Sequence, residues 1–237
     1  SGKPTLCRAL LNTLDEKTKT AFILNPNLTA LQLLKAIVTD FGIVTRSRTR
    51  MELTETLNQF LIEQCAADRS VILILDEAQN LTPAVLEEVR LLSNLESNEQ
   101  KLIQIILLGQ PELNDKLSLK RLRQLGQRVT VHCHMGPLSE EEVERYIQFR
   151  LEKANGNGKQ STPIFTDEAL KTIFKYSRGI PRLINALCDQ ALLTGYIYET
   201  RQITGAIITE VVEELPRFLN IRKGLRDLSR CSVIEPF

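Results

Sequence analysis

The chain has almost no net charge, no long apolar run and no closely spaced pair of cysteines. Its 30 Lys and Arg residues against 29 Asp and Glu residues give a formal net charge of +1, which argues against a strongly basic nucleic-acid surface and leaves room only for a local patch. No apolar stretch approaches the roughly 20 residues of a membrane span, and no signal peptide is visible. With 43% hydrophobic and 25% charged residues, the composition is typical of a soluble globular protein.

The cysteines and histidines do not form an evident metal site. The five cysteines are scattered and include no CxxC pair, which is most simply explained by reduced thiols in a cytosolic protein. Both histidines lie in the segment Val131–His134, where a strand would place them on one face and Cys133 on the other. A zinc site needs further ligands, and none lies nearby in the sequence, so an ordinary strand is favoured.

The segment Val71–Glu77 carries the strongest chemical signal. Five consecutive β-prone apolar residues run directly into Asp76 and Glu77, a pattern typical of a strand buried on both faces of a parallel sheet. The carboxyl ends of such strands are where α/β sheets bind ligands. In nucleoside triphosphatases an aspartate here holds Mg²⁺, and the next carboxylate can orient or deprotonate a water. A strand that ends in a solvated acidic turn explains the same residues.

The first five residues resemble the last part of the phosphate-binding pattern GxxxxGK[ST], and apolar residues at helical spacing follow them. In such a loop, backbone N–H groups face the phosphates and Lys3 reaches their β and γ oxygens. The first glycine of the loop and the strand before it would precede Ser1. Pro4 stands where the Mg²⁺-binding hydroxyl is expected. Thr5 comes one residue late, so it would contact a phosphate or replace that hydroxyl.

The remaining pattern divides the chain into two parts. Strands are predicted at about 20–25, 71–75, 102–108 and 128–134, with helices at about 31–41, 51–67, 82–95 and 111–126. This alternation predicts a parallel α/β sheet. Helices alone are predicted after Leu138, and the first of them begins with a capping box at Ser139 and Glu142. We therefore expect an α/β domain over 1–136, a helical domain over 137–215 and a basic tail or linker over 216–237.

Five short motifs occur in order along the chain: Leu75–Leu81, Leu91–Glu96, Leu107–Leu113, Leu125–Arg128 and Gly179–Asn185. This series resembles the ExeA-like family of AAA+ ATPases, which includes general secretion pathway protein A and related pilus-biogenesis ATPases. The resemblance runs from Gly2 to about Leu215. It implies a P-loop NTPase (AAA+) parallel sheet that is followed by a small all-helical lid domain, and an enzyme that uses ATP and Mg²⁺.

The resemblance also assigns roles to the residues that match the family's motifs. In the phosphate loop, Gly2, Lys3 and Thr5 would bind the nucleotide. Asp76 would hold Mg²⁺, with Thr5 as a second candidate ligand, and Glu77 would activate the attacking water.

The same resemblance implies roles for residues outside these two motifs. Gln110, at the end of a strand, would be the polar sensor of the γ-phosphate. Arg128 lies where related ATPases present an arginine finger to the neighbouring subunit, which can be worth about 10³–10⁵ in rate; Arg121 and Arg123 are nearby alternatives. Arg182 would be the second sensor, which reaches from the lid to the phosphates. Without these roles, Gln110 would cap a turn and Arg128 would be a surface arginine.

The strand that would precede Ser1 has a structural consequence. In the AAA+ strand order it lies between the strand at 128–134 and the strand at 102–108. Without it, those two strands would have unpaired edges in the middle of the sheet. The chain as written is therefore expected to be a fragment, or to be only marginally stable alone.

The function that the resemblance implies is a nucleotide-driven assembly factor. ATP bound between subunits would order a ring-type homo-oligomer, and hydrolysis would move the core against the lid. The implied partners are secretion or pilus assembly proteins at the inner membrane. The implied location is the cytoplasm or the cytoplasmic face of that membrane.

Two other functions fit parts of the sequence. A DNA-associated AAA+ regulator of the transposition type would use the arginines Arg46, Arg48 and Arg50, although the same cluster fits a solvated loop. A non-hydrolysing relic of an ATPase would explain Pro4.

Overall fold

The computed structural model describes residues 9, 11, 13–15, 17–24, 28–96, 101–155 and 163–214, together with the backbone of 231–236. Its contacts divide these residues into two compact units. One unit is built from the described residues up to Met135 together with 231–236, and the other from Gly136 onward to 214. In the described part of the chain, no helix combines the length and the apolar character needed to cross a membrane.

Strands and helices alternate along the first unit. Its strands are β1 (Lys19–Ile23), β2 (Val71–Leu75), β3 (Gln104–Gly109), β4 (Val129–Met135) and β5 (Cys231–Pro236). Its helices are α1 (Ala30–Asp40), α2 (Arg50–Ala66), α3 (Pro83–Leu92), α4 (Glu112–Leu117) and α5 (Arg123–Arg128), with short 3₁₀ turns at Ala78–Asn80 and Lys120–Leu122. The predicted strands and helices up to Met135 are confirmed to within a few residues at each end.

The described strands form one sheet in the order β1-β2-β3-β5-β4. Strands β1, β2 and β3 are parallel neighbours, and β4 runs in the same direction, so the prediction of a parallel α/β sheet is confirmed. Strand β5 is antiparallel to both of its neighbours, β3 and β4. It occupies the position where unpaired edges were expected. That expectation is wrong for β3 and β4, because residues 231–236, which the sequence placed in a tail, supply their ladder partner.

Strand β2 lies between β1 and β3 in the sheet. All five of its residues are buried, and they alternate between two apolar clusters. Leu73 and Leu75 point into the larger cluster with the helices, while Ile72 and Ile74 pack with Ile106 on the opposite face. A strand that is buried on both faces is held firmly in register, so the two carboxylates after Leu75 begin from a fixed backbone position.

Caps that are readable in the sequence fix where several helices begin. Thr29 and Thr49 each form a capping box, with Gln32 and Glu52 respectively. Thr82 caps α3 and Pro83 occupies its first position, as predicted.

The second unit contains only helices in its described residues. They are α6 (Glu140–Ala154), α7 (Asp167–Ser177), α8 (Pro181–Ile197) and α9 (Gly205–Glu214). Ser139 forms the predicted capping box with Glu142 at the start of α6. The apolar core of this unit is built from one face of each helix, with Ile147, Ile173 and Ile184 among its buried members.

A glycine turn between α7 and α8 is closed against the segment before α6. Gly179 has a φ of +74°, and a Cβ atom there would lie 1.9 Å from the carbonyl oxygen of Leu138. Its own carbonyl accepts a hydrogen bond of 2.9 Å from the Leu138 N–H. The turn leads directly into α8, where Arg182 is the second residue. The glycine thus sets the path of the chain into the helix that carries the candidate second sensor.

We expect Gly179→Ala to lower the free energy of unfolding by about 2–3 kcal/mol, because a left-handed backbone costs a non-glycine residue about 1–2 kcal/mol and the Leu138 carbonyl would also have to move. Urea unfolding followed by circular dichroism measures the change. The matched control is Gly136→Ala, since a Cβ there meets nothing within 4 Å, and its effect should stay within about 0.5 kcal/mol. Equal losses of unfolding free energy in the two variants would contradict the left-handed conformation and the close contact assigned to Gly179.

Candidate active site

Asp76 is a buried carboxylate at the carboxyl end of β2. The residue is only 8% exposed, and its Oδ1 accepts a hydrogen bond of 2.8 Å from the Glu77 N–H. Among the described residues, no lysine or arginine forms an ion pair with it. A buried charge is ordinarily paired or bound to a metal, and Mg²⁺ is commonly held by one or two carboxylates together with phosphate oxygens and waters. Asp76 therefore fits a Mg²⁺ ligand.

Glu77 occupies a backbone conformation that side-chain-bearing residues seldom adopt. Its φ is +51° and its ψ is 38°, in the left-handed region. This conformation turns the chain sharply out of β2 and into the 3₁₀ turn at Ala78–Asn80. Backbone strain of this kind costs of order 1–3 kcal/mol and is concentrated at functional sites. Asp68, Arg178 and Glu199 also have a positive φ, so at Glu77 the conformation contributes the direction of the chain rather than a mark of function.

The carboxylate of Glu77 is contacted by two side-chain amides. Gln79 donates from Nε2 to Glu77 Oε2 at 2.5 Å, and Gln110 donates from Nε2 to the same oxygen at 3.5 Å. Gln110 follows β3, and β2 and β3 are parallel neighbours, so their carboxyl ends meet at one edge of the sheet. The structure thus brings together the sequence-predicted residues Asp76, Glu77 and Gln110.

Gln79 and Lys116 belong to the site, although sequence reasoning did not single them out. The side-chain oxygen of Gln79 accepts a hydrogen bond of 3.0 Å from the Gln110 N–H. Lys116, on α4, donates from Nζ to the backbone carbonyls of Gln79 and Leu81. The only local signal for Gln79 was its position three residues after Asp76, inside the motif Leu75–Leu81. Lys116 had no such signal.

The candidate arginines lie in different settings. Arg128 donates from Nη1 to the Ser93 carbonyl at 3.0 Å and lies 4.0 Å from a carboxylate oxygen of Glu96. Its side chain is about one third exposed, at 32%. Arg121 and Arg123 are exposed in the segment just before it. Arg182 is exposed in the first turn of α8, in the helical unit. The choice of arginine finger among Arg121, Arg123 and Arg128 stays a prediction, and so does the role of Arg182 as a sensor.

The phosphate-loop residues Gly2, Lys3, Pro4 and Thr5 lie outside the described residues. Their roles toward phosphate and Mg²⁺ therefore stay predictions as well.

One of the three clustered arginines, Arg46, Arg48 and Arg50, forms an ion pair within the protein. Arg50 makes two contacts, of 2.8 Å and 2.7 Å, with the Glu88 carboxylate, which is only 4% exposed. Arg46 and Arg48 are exposed. The guanidinium of Arg50 is half-exposed, but the Glu88 carboxylate that it contacts is buried and would lose this partner if Arg50 were removed. Arg50 therefore has a structural role.

Comparisons with known proteins place this fold in a class. The AAA domain family matches residues 1–117. The structure resembles Cdc6p from Pyrobaculum aerophilum, with a TM-score of 0.63 and 17% identity over 90% of this chain and 57% of that one. It also resembles the Drosophila ORC bound to DNA, with a TM-score of 0.62 and 17% identity over 93% of this chain and 53% of that one. At such low identity these structures show the fold alone. The chain is an AAA+ protein of the P-loop NTPase fold.

Within this class the chain is similar to a member of the ExeA-like family. It is 40% identical to general secretion pathway protein A of Aeromonas hydrophila over 228 residues, which are 96% of this chain and 40% of that protein. The chain thus spans about two fifths of the length of the curated relatives that it matches. Membership of the AAA+ class implies a nucleotide-binding core.

Proposed function

We propose that the chain binds ATP with Mg²⁺ and hydrolyses it. The observation that carries the proposal is the convergence of Asp76, Glu77 and Gln110 at the carboxyl ends of two neighbouring parallel strands. Ligands of open α/β sheets bind at this edge. A buried carboxylate, a second carboxylate beside it and a side-chain amide are the groups that phosphoryl transfer to water needs there.

Each residue has a distinct task in this proposal. Glu77 orients a water and accepts its proton while the water oxygen attacks the γ-phosphorus and the bond to the β-phosphate oxygen breaks, which gives ADP and inorganic phosphate. Gln110 donates an amide hydrogen to the oxygen atoms on which charge develops. Asp76 would hold Mg²⁺, which when bound neutralises phosphate charge. Gly2, Lys3 and Thr5 would bind the phosphates, and Thr5 is also a candidate Mg²⁺ ligand.

The biological role proposed here is that of an assembly factor in a secretion or pilus biogenesis system. The support is the relation to general secretion pathway protein A. A ring-type homo-oligomer would complete each site, with Arg128 of one subunit as the finger for its neighbour and Arg182 as the second sensor. The chain would act in the cytoplasm, or at the cytoplasmic face of the inner membrane, on secretion or pilus assembly proteins.

Phosphate release from ATP is expected to require Mg²⁺ and to fall to background with a chelator. Asp76→Asn should raise the Mg²⁺ concentration needed for half-maximal rate by about tenfold or more, because a neutral amide binds hard cations more weakly than a carboxylate. Titration of Mg²⁺ in a phosphate-release assay measures this. Asp68→Asn, an exposed aspartate in a turn, is the control and should leave the titration unchanged. Absence of Mg²⁺-dependent hydrolysis would refute the proposal.

The two other functions have less support. The DNA-associated regulator relied on Arg46, Arg48 and Arg50, and Arg50 is held by Glu88. The non-hydrolysing relic relied on Pro4, and the phosphate-release assay distinguishes it directly, since a relic would show no turnover of ATP.

A further inference from the structure

The side chain of Gln79 connects the ends of two strands. Its Nε2 donates to Glu77 Oε2 at 2.5 Å, after β2. Its Oε1 accepts from the Gln110 N–H at 3.0 Å, after β3. One carboxamide therefore links the carboxylate proposed as general base to the backbone of the residue proposed as γ-phosphate sensor.

The surroundings of Gln79 are built to hold it in this orientation. A Cβ atom at Gly109 would lie 3.3 Å from Gln79 Oε1 and 2.6 Å from Leu113 Cδ2, so the glycine leaves the room in which the carboxamide lies. The backbone carbonyl of Gln79 accepts a hydrogen bond from Lys116 Nζ, and so does that of Leu81, at 2.9 Å. Both the backbone and the side chain of Gln79 are thus fixed by residues that follow β3.

We infer that Gln79 is a positioning residue that fixes the carboxylate of Glu77 for catalysis, an inference that rests on the proposed ATP hydrolysis. A glutamate has several rotatable bonds, and its carboxylate acts as a base only when it is aimed at the water. The donor on Gln79 stops that rotation. Gln110 also donates to Oε2, but at 3.5 Å, at the outer limit of a hydrogen bond. The shorter contact makes Gln79 the stronger of these two restraints.

The chemistry of the link requires both ends of a carboxamide. The carboxylate of Glu77 needs a donor, and the N–H of Gln110 needs an acceptor. Methionine has nearly the same length and can supply neither strongly. Glutamate can still accept from Gln110, but it would place a second negative charge against Glu77, and two carboxylates at hydrogen-bond distance cannot both stay ionised readily. These two substitutions therefore separate the role of the donor from that of the acceptor.

Hydrogen exchange in the nucleotide-free chain tests the link without any catalysis. In Gln79→Met the Gln110 amide loses its acceptor and should exchange about tenfold faster. In Gln79→Glu it should keep its protection. Asn80→Ala, at the exposed neighbouring position, is the control and should match the unchanged chain. An exchange rate at Gln110 that is unaffected by Gln79→Met would overturn the link itself.

Steady-state kinetics test the positioning role. We expect kcat to fall by about 10–100-fold in both Gln79→Met and Gln79→Glu, with KM changed by less than about twofold, because misplacing a reacting group by about an ångström costs up to about 10² in rate. A residue that only closed the turn would leave kcat unchanged in Gln79→Met, which introduces no charge beside Glu77.

The outcomes separate this inference from the proposed function. Mg²⁺-dependent hydrolysis that is lost in Glu77→Gln but retained at full kcat in both Gln79 variants would overturn the positioning role and leave the proposed function standing. Absence of hydrolysis in the unchanged chain would overturn the proposed function and the positioning role together, while the exchange experiment would still decide the link between Gln79 and Gln110.

Discussion

Replacing Glu77 by glutamine is expected to lower the turnover of ATP by about 10²–10⁴-fold, the range typical of losing a general base. The amide keeps the size of the side chain and can still accept a hydrogen bond from Gln79, but it cannot accept a proton from water. Asp76 and Gln110 are unchanged, so binding of nucleotide should stay within about twofold. Single-turnover phosphate release and equilibrium binding of a fluorescent ATP analogue measure the two quantities separately.

The matched control for this substitution is Glu55→Gln, at an exposed position on α2. It removes the same charge from the same unit and should change neither rate nor affinity. Hydrolysis at an unchanged rate in Glu77→Gln would contradict the assignment of Glu77 as the general base. Loss of nucleotide binding would instead indicate that the carboxylate belongs to the binding site rather than to the chemical step.

Introducing proline at Val233 is expected to lower the free energy of unfolding by about 3 kcal/mol or more. Val233 lies in β5, where it pairs with Leu108 on one side and with Cys133 on the other. Proline has no N–H, and it is found within sheets only on edge strands or at bulges. A strand with a neighbour on each side offers no such position, so a ladder hydrogen bond is lost and an acceptor is left without its donor. Urea unfolding followed by circular dichroism measures the loss.

Val233→Ala is the appropriate comparison, because it removes the same side chain and keeps the N–H. The difference between the two variants isolates the contribution of the backbone. If both variants unfolded at the same urea concentration, β5 would not be a member of the sheet in solution, and the edges of β3 and β4 would be open as the sequence alone suggested.

The parts of the fold that could be predicted from the sequence are those that depend on short-range pattern. The apolar run of β2 and the Thr82–Pro83 start of α3 are both local signals, and the structure has both. Gln110 and Glu77 were assigned to one site only through the family resemblance, and the parallel pairing of β2 and β3 is what brings their positions to the same edge of the sheet.

The features that could not be predicted depend on contacts between distant parts of the chain. The hydrogen bond from Lys116 to the carbonyl of Gln79 joins residues that share no local pattern. The sequence placed Arg50 in a basic cluster. Its buried partner Glu88 lies on another helix, so the pairing could not be seen in the local pattern. Strand β5 is short and ends in proline, and nothing in residues 231–236 indicates which strands it will join. Local sequence pattern determines whether a segment forms a helix or a strand, while contacts between distant parts of the chain determine which elements lie next to it.

The place of β5 also bears on the order in which the protein assembles. Leu107 pairs with Ile234, so the helical unit is synthesised between the two partners. Pairings between residues so distant in sequence close slowly, because the chain must lose much of its freedom before the contact forms. The helical unit, whose contacts connect helices that are near in sequence, should therefore acquire its structure first. Until β5 pairs with them, β3 and β4 would present open edges to other chains. The yield of native protein on refolding should therefore fall more steeply with chain concentration than the yield expected for the helical unit alone.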